Sequence, residues 1–181
     1  MSPPASPRRV HVAPVTDALA DGVRGLRVTP EQYAFVGDVG FNLIDAERDP
    51  LSEAMVVLLD DAVIGFYRLD FAPNAVAGRG LGTGMHGEPA IGLRAMMLDR
   101  SVQGRGHGVS AVRACIEDAR ERHPGRALLV LAVHGCNRAG LACYRQAGFV
   151  DTGDHLFGGQ AGPQTLMLFR LHPDNPGVPS P

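Results

Sequence analysis

The chain contains no lysine, since all 17 of its basic residues are arginines. Without lysine there can be no Gly-Lys-Ser/Thr sequence, so a P-loop nucleotide site is excluded. A formal net charge of −2 gives no overall attraction for nucleic acid or for anionic lipid, whose binding proteins usually present a basic face. No apolar run approaches the ~18 residues of a membrane span, and no signal-peptide core is present. We therefore expect a cytoplasmic protein that binds neither nucleic acid nor membranes.

Cysteine is also scarce. The chain has three, Cys115, Cys136 and Cys143, which are odd in number and show no C-x-x-C spacing. That pattern indicates neither a zinc site nor a disulfide framework, so we predict no metal. We expect these thiols to be buried or partly buried in a protein of a reducing compartment.

A chain of 181 residues suits one domain with a single core. We predict a flexible N-terminus over 1–9, one domain over 10–171, and a disordered proline-rich tail over 172–181.

Turn and periodicity signals predict a mixed α+β fold with a central sheet of six or seven strands flanked by helices. Thr29, Pro30 and Gln32 supply a helix cap, a first-turn proline and a capping box. The predicted strands are 10–15, 54–59, 62–71, 91–98, 127–133, 149–152 and 165–171. The predicted helices are 30–37, 39–48, 108–122 and 137–146.

Six residues between a predicted strand and a predicted helix read Gln-Gly-Arg-Gly-His-Gly, from Gln103 to Gly108. Alternating glycines let the backbone approach an anion, and the helix that follows adds free amides and the positive end of its dipole. A dinucleotide loop requires a third glycine where this chain has Val109. A literal G-x-G-x-x-G at 82–87 lacks the preceding strand and following helix. The loop alone is compatible with a pyrophosphate site or with a plain surface turn.

A second pattern follows one strand later. Residues 137–149 fit N-x-x-A/G-x-x-h-Y-x-x-x-G-F at every spacing. Together with the Q-x-x-G-x-G loop, this pattern resembles the GNAT superfamily of N-acetyltransferases, and the resemblance is clear over 91–149. It implies a mostly antiparallel sheet in which two parallel strands, ending at Leu98 and Val133, splay apart to hold acetyl-CoA as co-substrate.

The resemblance also implies roles for individual residues. Main-chain groups of Met96, Met97 and Leu98 would pair with the pantetheine and polarise the thioester carbonyl. Asn137 would cap its helix and contact the cofactor, and Tyr144 would protonate the leaving sulfur, although it also has an interpretation as a core tyrosine. The pyrophosphate would be held by the amides of Gln103, Gly104, Arg105, Gly106, His107 and Gly108.

The general base is not identified by the sequence. Glu88 is the first candidate, because the strand after it opens toward the acceptor in this family, although a solvated loop carboxylate is the more usual identity of such a residue. His107 and His134 are expected to be loop or packing residues.

Shorter matches at 26–32 and 94–99 resemble the diamine or spermine/spermidine acetyltransferase branch. They imply a small-molecule primary amine of polyamine type as acceptor, and family edge-strand dimers make a homodimer a further option. The glycine-rich segment 74–87 replaces a tight connection beside the acceptor site. A pocket for a polycation could be lined by Asp38, Asp45, Glu47, Glu53 and Glu88. A peptide or protein N-acetyltransferase and a non-catalytic acyl-CoA-binding module remain alternatives.

Overall fold

The computed structural model of the protein describes residues 9–72, 88–157 and 162–172. Nearly all of the predicted flexible ends, the segment 74–87 and the glycine motif at 82–87 lie outside those residues, so the interpretations of them stay predictions. Seven strands and five helices are described. In chain order these are β1 Val10–Pro14, α1 Asp17–Arg24, α2 Pro30–Val36, α3 Val39–Arg48, β2 Ser52–Leu59, β3 Ala62–Asp70, β4 Ala90–Leu98, α4 His107–Arg122, β5 Leu128–His134, α5 Arg138–Ala147, β6 Val150–Leu156 and β7 Gln164–Arg170.

The strands form one mixed sheet in the order β1-β2-β3-β4-β5-β7-β6. Every neighbouring pair is antiparallel except β4 and β5. That parallel pair is registered only from Ala90 opposite Leu128 to Gly92 opposite Val130. Beyond this point β4 and β5 part, which confirms the predicted α+β fold with its splayed parallel strands.

Helices cover both faces of the sheet. Residues of α4, including Cys115 and Ile116, pack with Tyr67 and Leu129 on one face. On the other face α1 and α3 pack with Phe66, and Leu43 of α3 is fully buried there. Because alternate residues of a strand point to opposite faces, neighbours such as Phe66 and Tyr67 supply the two cores.

Helix α1 is absent from the sequence prediction. It is short, with Asp17 in its first turn, Arg24 in its last, and Ala20 and Val23 buried three residues apart. Charges of this polarity favour a helix, but eight residues offer too few apolar repeats to reveal the period. The helix is stabilised by burial of that small apolar face on the sheet.

The thiols differ from one another in exposure. Cys115 of α4 is buried and Cys143 is partly buried, as predicted, but Cys136 is exposed. Cys136 lies in the turn between β5 and α5. For this residue the prediction of a buried or partly buried thiol is wrong.

Candidate active site

Strand β4 bends at Ala95. The backbone of Ala95 has a φ of +51°, in the left-handed region that non-glycine residues rarely occupy. Phe66 faces Met97 and Arg68 faces Arg94, so two residues of β4 lie opposite one residue of β3. This is a β-bulge, and it lies just after the last residue of β4 that pairs with β5. Met96 lies beyond Gly92, where the β4–β5 pairing ends, so its backbone has no ladder partner on the β5 side among the described residues.

Two cavities meet at the gap between β4 and β5. One, of about 390 Å³, extends from the gap to the glycine-rich loop and lies against α4 and α5; we call it the loop cavity. The other, of about 220 Å³, lies between β4, β5 and β7 beside α2 and α3; we call it the strand cavity. The residues that line both are Phe35, Val36, Met96, Asn137 and Tyr144.

The glycine-rich loop has the conformation of an anion cradle. Gly104 and Gly106 have φ values of +72° and +83°, and nothing lies within 4 Å of the position that a Cβ would take at either. Glycine is therefore required here for backbone conformation rather than for packing. Gly106 precedes α4, and no described side chain caps the first turn of that helix. Unpaired amides and the helix dipole at one wall of the loop cavity fit a pyrophosphate.

Gly108 has a different role from the other two glycines. A Cβ at this position would lie 3.2 Å from the Cys143 sulfur, so glycine allows α4 to approach α5 closely. Of the six loop residues predicted to bind the cofactor, four line the loop cavity: Gln103, Gly104, Gly106 and Gly108. Arg105 and His107 are not among the described residues that line it.

The Gln103 side chain fastens the loop to its surroundings. Its amide nitrogen donates to the Leu98 carbonyl at 2.9 Å, and its amide group exchanges two hydrogen bonds with Gln32 of α2, at 3.0 and 3.1 Å. The Gln103 side chain is thus engaged within the protein, so a contact between Gln103 and an anion would be made by its backbone amide. The Leu98 carbonyl is likewise engaged. Met96, Met97 and Leu98, the residues predicted to contact the pantetheine, all line the loop cavity.

Helix α5 begins at a side-chain cap that also reaches the gap. Asn137 Oδ1 accepts a hydrogen bond from the Gly140 amide at 2.9 Å. A Cβ at Gly140 would lie 2.6 Å from the Asn137 amide nitrogen, which explains the glycine at that position of the motif. Gly148, with a φ of +104°, ends the helix. The predicted cap is confirmed, and it fixes the start of the helix that carries Tyr144.

Tyr144 lies where the two cavities join. Its ring is partly buried and meets the buried Phe149 ring edge-on, with 5.7 Å between centroids. Burial raises the pKa of the Tyr144 phenol well above its ordinary value, and the nearby thiols of Cys143 and Cys115 raise it further. The phenol therefore keeps its proton at neutral pH and presents an O–H donor at the gap.

Glu88 lies away from this group. It precedes β4 at the end of the strand that is paired with β5, and its carboxylate accepts a hydrogen bond from Arg170 at 3.3 Å. It is not among the described residues that line either cavity. The structure does not bring Glu88 together with Met96 and Tyr144, which belong to the other half of the β4–β5 region.

The predicted acidic pocket does not form among the described residues. Asp38 caps α3, Asp45 pairs with Arg68, and Glu53 pairs with Arg122. None of these carboxylates lines either cavity, and neither does Glu47, which is exposed. Helix capping and ion pairing, rather than a shared pocket, account for most of these residues.

His134, which was expected from the sequence to be a loop or packing residue, lines the strand cavity. It ends β5, is buried, and places Nε2 3.0 Å from the Gln164 amide nitrogen. Its ring lies against Phe35 at 5.5 Å between centroids. Its other ring nitrogen, Nδ1, is buried and has no hydrogen-bond partner among the described residues. The sequence does hold one indication that His134 lies near the site, namely its position directly after a predicted strand and just before the Asn137 motif.

A buried charge network adjoins the strand cavity. Asp70 receives hydrogen bonds from Ser52 at 2.7 Å, from Arg68 at 3.1 Å and from Arg94 at 2.7 Å. Burial acts to raise the pKa of Asp70, but the hydrogen bonds from Ser52 and Arg94 and the charges of both arginines outweigh it and lower the pKa. Arg68 is buried with Asp70, whereas Arg94 is half exposed and lines the strand cavity.

None of the described helices is long and apolar enough to cross a membrane. No group of three His, Cys, Asp or Glu side chains among the described residues is placed to hold a metal ion.

Comparisons with solved structures show the same fold in acetyltransferases. The aminoglycoside acetyltransferase AAC(6')-Ib, in complex with coenzyme A and kanamycin, is 19% identical with a TM-score of 0.64, covering 89% of this chain and 94% of that one. Spermidine N-acetyltransferase from Vibrio cholerae, in complex with CoA and spermine, is 13% identical with a TM-score of 0.65, covering 90% and 96%. Aminoglycoside N(6')acetyltransferase from Legionella pneumophila is 14% identical with a TM-score of 0.67, covering 92% and 95%.

Among curated protein sequences, none matches this chain. The family model described as the acetyltransferase (GNAT) family matches residues 22–149, which include the bulged strand, the glycine-rich loop and the Asn137 motif. The chain therefore belongs to the acetyltransferase (GNAT) family and is an acyltransferase of the GNAT type.

Proposed function

We propose that this protein transfers an acetyl group from acetyl-CoA to a primary amine of a small molecule, by direct attack of the amine on the thioester. The observation that carries the proposal is the junction of the two cavities at Tyr144 and Met96, in the gap between β4 and β5. One cavity leads to the glycine-rich loop and suits the cofactor. The other opens on the α2 and α3 side and suits the amine, so both reactants can reach one point.

The loop cavity fits acetyl-CoA, which supplies an activated thioester carbonyl. Gly104, Gly106 and the uncapped first turn of α4 would hold the pyrophosphate through backbone amides. Met96 lies where β4 has parted from β5, and its backbone amide is the proposed hydrogen-bond donor to the carbonyl oxygen. A fixed donor aimed at developing negative charge contributes about 3 kcal/mol to catalysis.

Tyr144 is the proposed general acid. Its O–H lies at the junction of the cavities and keeps its proton, because burial disfavours the phenolate. In the reaction the amine nitrogen bonds to the carbonyl carbon, the carbon–sulfur bond breaks, and the sulfur takes the proton of Tyr144. The tyrosine then regains a proton from solvent.

His134 is the proposed acceptor of the proton that the amine releases. Among the described residues that line the strand cavity, it has the only imidazole, a side chain that can accept a proton as a general base. In the structure the Gln164 amide nitrogen faces Nε2 of His134. Rotating that amide by half a turn places its oxygen there instead, so that Nε2 carries the hydrogen and Nδ1 holds the lone pair that takes the proton. Glu88 would have to act from the opposite end of β4, so the mechanism does not use it.

The alternatives differ in what they require of the strand cavity. A peptide acceptor needs an open groove, and the volume of about 220 Å³ suits a small amine better. A polyamine-like acceptor is consistent with the spermine-bound structural relative, although the charges near the strand cavity favour another class of amine. A non-catalytic CoA-binding module would not require a proton donor such as Tyr144 at the gap. The cytoplasmic location and the homodimer remain predictions.

The test measures CoA thiol release from acetyl-CoA with polyamines, aminoglycosides, amino acids and peptides as acceptors. Turnover with a small amine supports the proposal, and preferential turnover of peptides supports the protein-acetylating alternative. Calorimetric binding of acetyl-CoA without thiol release from any acceptor would leave the non-catalytic module as the explanation.

A further inference from the structure

The described lining of the strand cavity carries no negative charge to attract a polycation. Its described titratable side chains are Arg94, His134 and Tyr144, and it has no carboxylate among the described lining residues. The segments 73–87 and 158–161, which lie outside the described residues and lead into β4 and β7, contain no Asp or Glu in the sequence. A polyamine or aminoglycoside would therefore bring its additional ammonium groups to a cavity lined by an arginine.

Asp70, the carboxylate that Arg94 contacts, is already engaged in hydrogen bonds with other side chains. Asp70 bonds to Arg68 at 3.1 Å and to Arg94 at 2.7 Å, and its side chain is 5% exposed. Asp45, the other carboxylate of this network, pairs with Arg68. Asp70 thus serves to hold the two arginines and is not presented to a ligand.

Arg94 is held in place by Asp70 but keeps free N–H donors. Arg94 faces Arg68 across the strand pair, so both side chains lie on the α3 face of the sheet. Its side chain is 45% exposed, and one guanidinium nitrogen donates to Asp70. A guanidinium carries five N–H donors in a planar fork that matches a carboxylate, so donors remain for a ligand.

Arg94 is also close in sequence to Met96, beside which the reaction is proposed to occur. It precedes Met96 by two residues, on the other side of the bulge at Ala95. A small molecule with an amine and a carboxylate on neighbouring carbons could contact both positions. The small volume of the cavity favours such a compact ligand over an extended polyamine.

Building on the proposed acetyltransferase function, we propose that the acceptor is a primary amine that also carries a carboxylate, an amino acid in chemical class, and that Arg94 binds this carboxylate. The amine is then directed to the gap beside Met96 and Tyr144. Since the carboxylate contact is the same before and during the reaction, it contributes to binding more than to turnover.

The experiment compares matched acceptors in the CoA thiol-release assay. Each standard L-amino acid is paired with its carboxamide, and spermidine and kanamycin serve as polycationic acceptors. We expect at least one amino acid to exceed its carboxamide by about 10-fold or more in kcat/KM, in keeping with the strength of charge-assisted hydrogen bonds. An amide that reacts as well as its acid, or a polycation that reacts best, would overturn the proposal.

Arg94→Gln supplies the second measurement on the full chain. For the preferred amino acid we expect KM to rise about 10- to 100-fold with little change in kcat, and Arg94→Lys to restore part of the loss. Arg170→Gln is the matched control, because Arg170 pairs with Glu88 away from both cavities. An equal rise in KM for the acid and its amide would assign Arg94 a structural role and contradict the proposal.

Failure of this inference is distinguishable from failure of the acetyltransferase function. If acetyl-CoA binds and amines without a carboxylate are acetylated, the function stands and the carboxylate inference is wrong. If no amine of any class releases thiol, the proposed function fails with it. Acetyl-CoA affinity and thermal unfolding of Arg94→Gln show whether the variant retains the loop cavity and the fold.

Discussion

Gln32 and Gln103 hold each other by two reciprocal amide hydrogen bonds, at 3.0 and 3.1 Å, although 71 residues separate them in the chain. Gln32 belongs to α2 and also accepts a hydrogen bond from the Thr29 amide, while Gln103 begins the glycine-rich loop. This pair therefore connects the helix beside the strand cavity to the loop that bounds the loop cavity.

Replacing Gln103 with alanine should loosen the glycine-rich loop. We expect acetyl-CoA affinity to fall about 10-fold, because the loop must then be ordered when the ligand binds. In urea unfolding of Gln32→Ala, Gln103→Ala and the double variant, the pair should show a coupling free energy of about 1 kcal/mol. Strictly additive effects would show that the two amides do not stabilise each other.

Alanine at Gly104 or Gly106 should damage cofactor binding through the backbone. Each position has a positive φ, and holding an alanine there costs about 1 kcal/mol or more, or shifts the amides away from the anion. We expect a rise of about 10-fold or more in the dissociation constant of CoA by calorimetry. Gly125→Ala is the control, since nothing lies within 4 Å of its Cβ position and its φ is not positive. Equal affinities for all three variants would argue against the anion cradle.

Tyr144→Phe should remove turnover but not cofactor binding. A general acid contributes about 10²- to 10⁴-fold, so kcat should fall by at least two orders of magnitude. The acetyl-CoA dissociation constant should change by less than about threefold, because the ring and its contact with Phe149 remain. Tyr33→Phe, at an exposed tyrosine of α2, is the matched control. An unchanged kcat in Tyr144→Phe would exclude the general acid role.

The role of His134 is tested by substitution. A general base contributes about 10²- to 10⁴-fold, so kcat/KM of His134→Gln should fall by about two orders of magnitude or more. A Glu88→Gln variant measured in parallel should retain the wild-type kcat/KM, because Glu88 pairs with Arg170 away from the cavities. If kcat/KM falls in Glu88→Gln instead, the base is Glu88.

Asp70 should contribute to the pH dependence of stability. Its pKa in the folded protein is lowered from the ordinary value of 3.8, so folding favours the carboxylate. The contribution is present above about pH 4 to 5 and is lost as the pH falls through the lowered pKa. At pH 7 we expect Asp70→Asn to lower the free energy of unfolding by about 3 kcal/mol, since a buried ion pair loses one partner. The difference from wild type in urea unfolding should shrink toward pH 3; a constant difference would contradict the linkage.

Much of the fold could be predicted because its signals are local. Thr29 and Gln32 identify the start of α2, and Asp60-Asp61 separates the two strands of a hairpin. The unbroken apolar run of β5 indicates a strand covered on both faces. Helix α1 escaped prediction because its stability depends on packing Ala20 and Val23 against the sheet, which a short segment does not reveal.

The candidate site divides in the same way. The sequence spacing identified Asn137 and Tyr144, whose positions on α5 follow from helix geometry and a side-chain cap. Glu88 was ranked as the base by its proximity to β4 along the chain. In three dimensions it lies at the paired end of that strand, whereas the gap opens beyond Gly92. Proximity in sequence does not indicate which end of a strand faces the reaction.

The sequence by itself predicted the cofactor half of the candidate site, because the glycine spacing and the Asn137 motif are properties of contiguous residues and the absence of lysine is a property of the composition. Only the tertiary structure decided the other half. The bulge at Ala95, the burial of His134 beside Phe35, and the holding of Arg94 by Asp70 each join residues of different strands or helices. Such contacts depend on the register and packing of distant segments, so no local pattern in the chain records them.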